Sequence, residues 1–591
     1  MKRKSIALSQ ENILFSWKRV WLGLLFLIAA VYAPSLSVPF HFDDEHTIHM
    51  NESLHHLSGI PKIWTDLTTS SYLPDNRNYR PLKNTIDTFC WTIGNGATWP
   101  FHLWKIFMHS VVCLCLFLIW RRLWRVPGWY PLTENVPGFL KSERIALVLA
   151  VIFAVHPVMT EVVTYISASS SLQCAMFYLL GYLSYLAWRD QGSSKFLAAA
   201  LLSYAASCMS KEEGITLPAV IVLTEVFIAE GDWIQKAKCA IRRSWPFWLA
   251  FVGLAAFMAH MVPETNARSR GNVPPIEYFM TQWRAWIWYM RLWFWPWDLN
   301  ADNVEFGFSS SIADPRVIQA LIGNVLLLVA AFLYRKKFPA LLFGLLWYYI
   351  TISPASSILP LAEPVNERRM YLSYIGFTGG ALVLMLWLFY DALSPKVSAR
   401  QSFAVLSLIV VGSMVGTLNR INVWQTPENL WVDTVAKNPS SGRAQNNLAL
   451  IYMQRAQYPQ ALEHLNRCEQ AWPNYMYCAL NKGIIGIATK DTDLAEKSLL
   501  RALTLDPESP WVNFQLGLFF HEFKKDIDRS IVFFSKSDAL TGNRYLEAKE
   551  WLSRIYLEKG DKGKARSLAS EILQIQPSRP SALHLLSQAS N

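Results

Sequence analysis

Long apolar runs separated by short polar segments fill the first 424 residues, and the runs stop after them. A transmembrane helix needs about 20 predominantly apolar residues to cross the hydrocarbon core of a bilayer. The runs predict spans at 21–36, 101–120, 143–160, 171–188, 196–210, 214–229, 245–261, 317–334, 338–353, 370–390 and 402–419. The pattern therefore predicts an all-α, polytopic membrane domain over residues 1–424 with about eleven crossings.

A different period begins near residue 425. Pro439, Pro473 and Pro507 are spaced by 34 residues, and Pro577 lies about two periods further on. This is the period of the tetratricopeptide repeat, so residues 425–591 are predicted to form a soluble α-solenoid. Such solenoids hold a peptide or a partner helix on a concave surface and rarely catalyse reactions.

The third repeat departs from this register by one residue. Leu516, Gly517 and Phe520 fit its first helix, but Ser530 and Phe534 come into line only after a one-residue slip.

Composition agrees with a membrane protein. Of the 591 residues, 52% are hydrophobic and 14% aromatic, and the mean hydropathy is +0.18. An ordinary soluble domain is less apolar than this. The net charge of +11 is gathered in short basic clusters between apolar runs, which is typical of cytoplasmic loops and argues against a nucleic-acid-binding surface.

The basic clusters also predict the topology. After the first cluster, at residues 2–4 and 18–19, they follow every second span, at residues 121–125, 189–195 and 236–243. The first run lacks a small-residue cleavage site and is predicted to be an uncleaved anchor, with its N-terminus in the cytoplasm.

The tryptophan-rich segment 279–298 is predicted to be interfacial or re-entrant, within an external loop spanning 263–313. If it crossed the membrane, the basic cluster at 335–337 would lie outside. An odd number of crossings then places the repeats outside, in the periplasm of a bacterium or the lumen of the endoplasmic reticulum in a eukaryote.

Polar side chains gather at span ends on the predicted external face. They lie in the first external loop (40–100) and in three later segments: Asp43, Asp44, Glu45, Tyr79, Arg80, His156, Glu161, Lys211, Glu212, Glu213, Glu367, Arg368 and Arg369. Cations in such a set can hold a phosphate, and a carboxylate can remove a proton, which suits an anionic lipid-linked substrate. Each residue alone has an ordinary alternative as a surface ion pair, an interfacial histidine or a snorkelling arginine.

Several of these residues lie in motifs that occur in a fixed order along the chain. The motifs are FDDEHTI, YRPL, HPVMTE, SKEEGITLP, GLLWYYITISPASSILP and NERRMYLSYIGF, followed by the repeats. With them the chain resembles the transmembrane and tetratricopeptide-repeat O-mannosyltransferases, which are membrane glycosyltransferases of the GT-C class. It departs from that family at Asn366, at Arg369, in a serine-rich segment at 167–171 and in its short repeat array, which suits a bacterial relative.

The resemblance implies transfer of mannose or another hexose from a polyprenyl phosphate to a hydroxyl group, most simply on Ser or Thr of a protein, with inversion. It implies Asp43 as the base, with Asp44 orienting that base or the acceptor. The donor phosphate is assigned to Arg80, Lys211, Arg368 and Arg369. The supporting residues are Glu45, Tyr79, His156, Glu161, Glu212, Glu213 and Glu367.

The sequence contains few features that indicate a cofactor. The eight cysteines show no metal-ligand spacing, and no nucleotide-binding loop is visible, which agrees with a lipid-linked donor. Because some GT-C enzymes use a divalent cation, Asp43 and Asp44 are a candidate pair for one. Cys468 and Cys478 fall on neighbouring helices of adjacent repeats, and whether they form a disulfide stays open, since spacing alone does not fix geometry.

Two other functions stay open at this level. A GT-C enzyme could modify a glycolipid or an envelope polymer instead of a protein, with the repeats recruiting a partner. A non-catalytic scaffold could use the repeats for assembly, but it has no need for charged residues gathered on one face. A transporter is disfavoured, because the spans show neither an internal duplication nor broken helices in corresponding halves.

Overall fold

The computed structural model describes residues 16–73, 77–130, 141–262, 273–393, 399–542 and 545–590, and every regular element in these ranges is a helix. The predicted all-α fold is therefore confirmed. The chain forms two compact units, Met1–Leu430 and Trp431–Asn591, and their division lies close to the domain boundary predicted after residue 424. The basic residues at positions 2–4 and residues 263–272 of the predicted external loop lie outside the described ranges.

The first unit is built from helices of very different lengths, with several single helical turns between them. Its helices of ten residues or more are α1 (Trp17–Tyr32), α2 (Pro81–Gly94), α3 (Trp99–Leu123), α4 (Ser142–Ala154), α5 (Ser169–Gln191), α6 (Ser194–Cys208), α7 (Leu217–Ile228), α8 (Trp233–Met261), α9 (Pro275–Phe294), α10 (Pro315–Leu333), α11 (Pro339–Ile352), α12 (Tyr371–Leu393), α13 (Ala399–Trp424) and α14 (Pro427–Lys437), the last of which runs into the second unit.

Six helices of the described chain are long and apolar enough to cross a membrane. They are Trp17–Ser37, Trp99–Leu123, Trp233–Met261, Pro315–Leu333, Glu367–Leu388 and Ala404–Trp424. The pair Ser142–Ala154 and Pro157–Thr164, bent by 55°, would add a seventh. The protein is therefore a multi-pass membrane protein.

The predicted count of about eleven also included shorter or more polar helices. The helices α6, α7 and α11 have 15, 12 and 14 residues, and α5 begins with three serines. A span of about 20 apolar residues is the usual requirement. Sequence hydropathy predicts these segments as crossings because it measures how apolar a run is and does not show where its helix begins and ends.

Glycines allow α12 to pack closely against its neighbours. A Cβ atom at Gly379 would overlap the Trp120 ring on α3, and one at Gly376 would overlap the Trp347 ring on α11. The indole N–H of Trp120 donates to a backbone carbonyl of α12 at 2.8 Å, so the buried ring leaves no unpaired donor. This packing fixes α12, and with it the charged turn that precedes the helix.

The second unit consists of consecutive helix pairs. Its helices are α15 (Gly442–Gln454), α16 (Tyr458–Ala471), α17 (Met476–Thr489), α18 (Thr492–Leu505), α19 (Pro510–Phe519), α20 (Ile527–Leu540), α21 (Leu546–Glu558), α22 (Lys562–Ile575) and α23 (Pro580–Ser590). Residues that the repeat places at packing positions, such as Ala461, Leu465 and Leu499, are fully buried. The tetratricopeptide-like organisation is therefore confirmed.

A π-helical turn lies where the sequence of the third repeat slips by one residue. After α19, residues Phe520–Lys524 form a single π turn, which accommodates one extra residue. Beyond it, Ser530 and Phe534 are fully buried, and Ser530 donates to the carbonyl of Gly517 at 3.0 Å. The one-residue slip read from the sequence corresponds to this turn.

A disulfide joins Cys468 at the end of α16 to Cys478 in α17, across a separation of 10 residues. Closing a loop of this size lowers the conformational entropy of the unfolded chain and so raises the free energy of unfolding by about 2–3 kcal/mol. We therefore expect Cys468→Ser to destabilise the second unit by about that amount. Denaturant unfolding measures the loss, and reductant should lower the stability of the wild type while leaving the variant unchanged.

Candidate functional site

The chain makes a tight turn immediately after the first span and presents Asp43 there. Phe42 adopts a positive φ of 49°. The amide N–H of Asp43 donates to the Tyr165 hydroxyl at 3.0 Å, and the Thr47 hydroxyl donates to the Asp43 carbonyl at 2.6 Å. Its side chain is 51% exposed. The backbone of Asp43 is thus held in place while its carboxylate stays accessible.

Asp44 is fully buried, and its carboxylate binds other parts of the chain. It accepts hydrogen bonds from the backbone N–H of His41 at 2.9 Å and of Ser167 at 2.7 Å, and from the Ser167 hydroxyl. Burial raises the pKa of Asp44 to about 6, although hydrogen bonds from Ser167 and His41 and the charge of Lys105 favour its ionised form. Asp44 ties the turn to the segment around Ser167, which suits the orienting role that the resemblance assigns to it.

Arg368 reaches the same place from the turn Glu367–Met370, ahead of α12. Its Nη1 donates to Glu161 at 3.0 Å, its Nη2 lies 3.8 Å from the Glu363 carboxylate, and its guanidinium stacks 5.5 Å from the centre of the Tyr165 ring. Glu161 is almost completely buried and Arg368 is about one-quarter exposed. The structure therefore brings three predicted site residues, Asp43, Glu161 and Arg368, around Tyr165.

His46 contacts the Asp43 carboxylate directly. Its Nε2 lies 3.4 Å from Asp43 Oδ1, and its Nδ1 lies 2.9 Å from Ser71 Oγ. An ionised Asp43 requires an N–H on Nε2, so in neutral His46 the Ser71 hydroxyl donates to Nδ1. Burial raises the pKa of Asp43, but the hydrogen bond from His46 and the charge of Arg368 outweigh it and hold that pKa well below its usual range.

A second charged group contains Arg80, Lys211 and their partner glutamates. Arg80 Nη2 donates to both carboxylate oxygens of Glu212, at 3.0 and 3.1 Å. Lys211 pairs with Glu213, and both of these side chains are buried. Burial raises the pKa of Glu212, but the charges of Arg80 and Lys211 outweigh it and lower that pKa to about 2. Burial raises the pKa of Glu213 despite the adjacent Lys211.

The serine-rich segment connects the two charged groups. Ser167 binds Asp44, Ser170 accepts from Arg80 Nη1 at 3.3 Å, and Ser171 accepts from Lys211 Nζ at 2.9 Å. In the sequence this segment stood out only as a departure from the family. A polar cluster at the start of an otherwise apolar run was the signal that it binds charged residues.

A buried charge network also lies beneath the first loop, and the sequence reading missed it. Lys83 and Asp87 on α2 form an ion pair of 2.6 Å between two buried side chains. Lys105, inside the apolar run of α3, donates to the Tyr165 carbonyl, and its charge acts on both Asp44 and Asp87. An ionisable residue in an apolar run was the available signal for Lys105.

The other predicted residues make local contacts away from Asp43. The Tyr79 hydroxyl donates to the Trp64 carbonyl, and His156 bonds the Trp293 carbonyl and stacks on the Trp293 ring. Glu45 binds His49. Glu367 accepts from the backbone amide of Asn300, and Arg369 donates to the Glu363 carbonyl. These contacts position loops around the site.

The carboxylates of Asp43 and Asp44 do not fit a shared divalent cation. Both oxygens of Asp44 accept hydrogen bonds from the chain, which leaves only the Asp43 carboxylate accessible. Among the residues that the structure describes, no group of three or more His, Cys, Asp or Glu side chains could hold a metal ion.

Comparison with known proteins confirms the resemblance. The tetratricopeptide repeat family matches residues 447–510. The chain is 22% identical to protein O-mannosyl-transferase TMTC3 of Mus musculus, over 82% of this chain and 54% of that protein. It is 24% identical to protein O-mannosyl-transferase TMTC4 of Homo sapiens, over 73% of this chain and 63% of that protein. The chain thus spans about half to two-thirds of the length of these relatives.

Two solved tetratricopeptide-repeat structures align with about a third of the chain. TTC0263, a tetratricopeptide-repeat protein of Thermus thermophilus, is 18% identical over 30% of this chain and 95% of its own, with a TM-score of 0.25. YrrB, described as a tetratricopeptide-repeat protein with an unusual peptide-binding site, is 17% identical over 33% of this chain and 96% of its own, with a TM-score of 0.23.

Proposed function

Proceeding from its similarity to protein O-mannosyl-transferases, we propose that this protein is a membrane glycosyltransferase. It transfers mannose or another hexose from a polyprenyl phosphate to a Ser or Thr hydroxyl of a protein. The observation that carries this proposal is the accessible Asp43 carboxylate, with Arg368 placed over the same Tyr165 side chain that binds the Asp43 backbone. A base and a cation at one accessible point are what attack by a hydroxyl on a sugar phosphate requires.

The reaction is a single displacement. The acceptor hydroxyl gives its proton to Asp43 as its oxygen forms a bond to the anomeric carbon. The bond from that carbon to the phosphate oxygen breaks, the electron pair leaves with the polyprenyl phosphate, and the configuration inverts. Arg368 and Arg80 offset the negative charge that develops on the leaving phosphate. Asp44 keeps the turn that carries Asp43 in position.

In this proposal the membrane domain binds one substrate and the repeats bind the other. Residues 1–424 hold the lipid-linked donor in the membrane, and the repeats from 425 onward hold the acceptor protein, since stacked repeats of this kind bind peptides. In this proposal the N-terminus is cytoplasmic, and the charged site and the repeats face the periplasm or the lumen. The donor is undecaprenyl-linked in a bacterium and dolichyl-linked in a eukaryote.

Intact-mass glycoproteomics of envelope or lumenal proteins tests this function. Cells carrying the wild type, Asp43→Asn, Glu45→Gln or no copy are compared. Glu45 is a matched control, because its exposed carboxylate lies in the same turn and binds His49. A hexose-type mass on Ser or Thr is expected in cells with the wild type or Glu45→Gln, and not in cells with Asp43→Asn or no copy. A change confined to glycolipids would redirect the acceptor, and no change in either would favour a scaffold.

The pH dependence of transfer should respond to His46. The hydrogen bond from His46 lowers the pKa of Asp43, so Asp43 stays ionised when the pH falls below the ordinary pKa of an aspartate. In His46→Leu this pKa rises, and the acidic limb of the kcat/KM profile should move to higher pH. His49→Leu, which removes the partner of Glu45 and ring contacts with Phe40 and Trp91 but no described contact with Asp43, should leave the limb unchanged. An unmoved limb in His46→Leu would show that Asp43 is not the titrating base.

A further inference from the structure

The ion pairs of Arg80 and Lys211 differ in how easily they can open. The side chains of Arg80 and Glu212 are 24% and 47% exposed, whereas those of Lys211 and Glu213 are 8% and 5% exposed. Glu212 can therefore rotate into solvent and stay hydrated. Glu213 cannot do so without leaving the Lys211 ammonium buried and unpaired, which is strongly unfavourable.

The start of α5 makes the surroundings of Arg80 attractive to an anion. Arg80 and Lys211 bind the hydroxyls of Ser170 and Ser171 in the first turn of this 23-residue helix. The N-terminus of a helix carries a partial positive charge, so two cations placed there require negative charge beside them. In the unliganded protein Glu212 supplies part of that charge.

Two buried polar groups on the first turns of α5 have no hydrogen-bond partner within the described residues. They are the hydroxyl of Ser169 and the amide Nε2 of Gln173, whose side chains are almost completely buried. Buried donors are normally paired, and an unpaired one is costly. They add unpaired polar groups to the helix end that also binds Arg80 and Lys211.

We propose that Glu212 is a displaceable counter-ion that occupies Arg80 until a phosphate takes its place. The proposal rests on the glycosyltransferase function above and concerns the phosphate of the lipid-linked donor. On binding, the Glu212 carboxylate turns to solvent, and the guanidinium of Arg80 donates to phosphate oxygens instead, a pairing for which its planar fork is suited. Lys211 and Glu213 stay paired and keep the helix end in place.

This arrangement predicts an unusual sign for one substitution. If Glu212 only supported Arg80, removing its charge would weaken phosphate binding. If Glu212 competes with phosphate, Glu212→Gln should bind phosphate more tightly, by roughly fivefold in Kd, since an exposed ion pair is a weak competitor. The shorter Glu212→Asp should change the Kd in the same direction by less, and it replaces Glu212→Gln if that variant does not fold.

The binding constant of a short-chain polyprenyl phosphate to the purified full chain in detergent tests the proposal. Glu213→Gln is the matched control, and we expect it to lower the thermal stability without tightening binding. Arg80→Gln should weaken binding at least tenfold. Glu212→Gln added to Arg80→Gln should give no further gain, because the competitor has lost its target. Unchanged or weaker binding in a folded Glu212→Gln protein would overturn the proposal.

Inorganic phosphate, used as a second probe, separates the two sources of the ligand. The same order of variants with both probes would identify the phosphate group itself as the ligand, and an order seen only with the polyprenyl phosphate would identify the lipid-linked form. Because binding is measured without sugar transfer, the two proposals can fail separately. If the variants bind phosphate in the expected order but the protein transfers no sugar, the glycosyltransferase function alone is refuted. If the protein transfers sugar but Glu212→Gln leaves the KM for the donor unchanged, the displacement of Glu212 alone is refuted.

Discussion

Replacing Asp43 with asparagine is expected to reduce sugar transfer by about 10²–10⁴-fold, the usual contribution of a general base. The amide cannot accept the proton of the acceptor hydroxyl. The fold should survive, because Asp43 is held to Tyr165 and Thr47 through its backbone N–H and carbonyl, which the substitution keeps. Transfer from a polyprenyl-phosphate sugar, measured together with thermal unfolding, separates the two effects.

Two neighbouring carboxylates provide controls for Asp43→Asn. Glu45→Gln should retain activity, since Glu45 binds only the exposed His49 among the partners described for its side chain. Asp44→Asn should lose stability as well as activity, because Asp44 is buried and organises the turn around His41 and Ser167. Activity retained in Asp43→Asn and lost in Glu45→Gln would move the base to Glu45.

The sequence predicted the parts of the molecule that depend on local pattern. The repeat period located the second unit, and a one-residue slip in that period corresponds to the π turn at Phe520–Lys524. Likewise, the order of motifs brought attention to Asp43, Glu161 and Arg368, which the structure places around Tyr165. The repeats and the motifs could be recognised because each repeat and each motif is a short stretch of chain.

Partnerships across long sequence separations could not be predicted in this way. Asp43 binds Tyr165, 122 residues away, and Arg80 binds Ser170, 90 residues away. Hydrophobic periodicity fixes which face of a helix is apolar, but it does not fix which loops meet at the ends of the helices. For the same reason the sequence treated Arg80 and Lys211 as equivalent phosphate ligands, whereas their burial and partners differ.

Removing the charge of Arg368 should damage both the fold and the reaction. Arg368→Gln removes the cation of the 3.0 Å ion pair with the almost completely buried Glu161, and breaking a buried pair from one side costs about 3–5 kcal/mol. Loss of a preorganised charge at the leaving group should also lower transfer by about 10²–10³-fold. The single variant alone cannot separate these two effects.

A double variant separates them. Glu161→Gln added to Arg368→Gln removes the unpaired buried carboxylate, so the thermal stability should recover much of its loss, because replacing both partners of a buried pair is far less costly than removing one. Transfer should not recover, because the double variant still lacks the cation beside Asp43. Thermal unfolding and kcat/KM measured on both variants give the answer. If transfer returned with stability, Arg368 would act only by holding Glu161 and the surrounding loops. If stability recovered and transfer stayed low, its charge would act directly on the reaction.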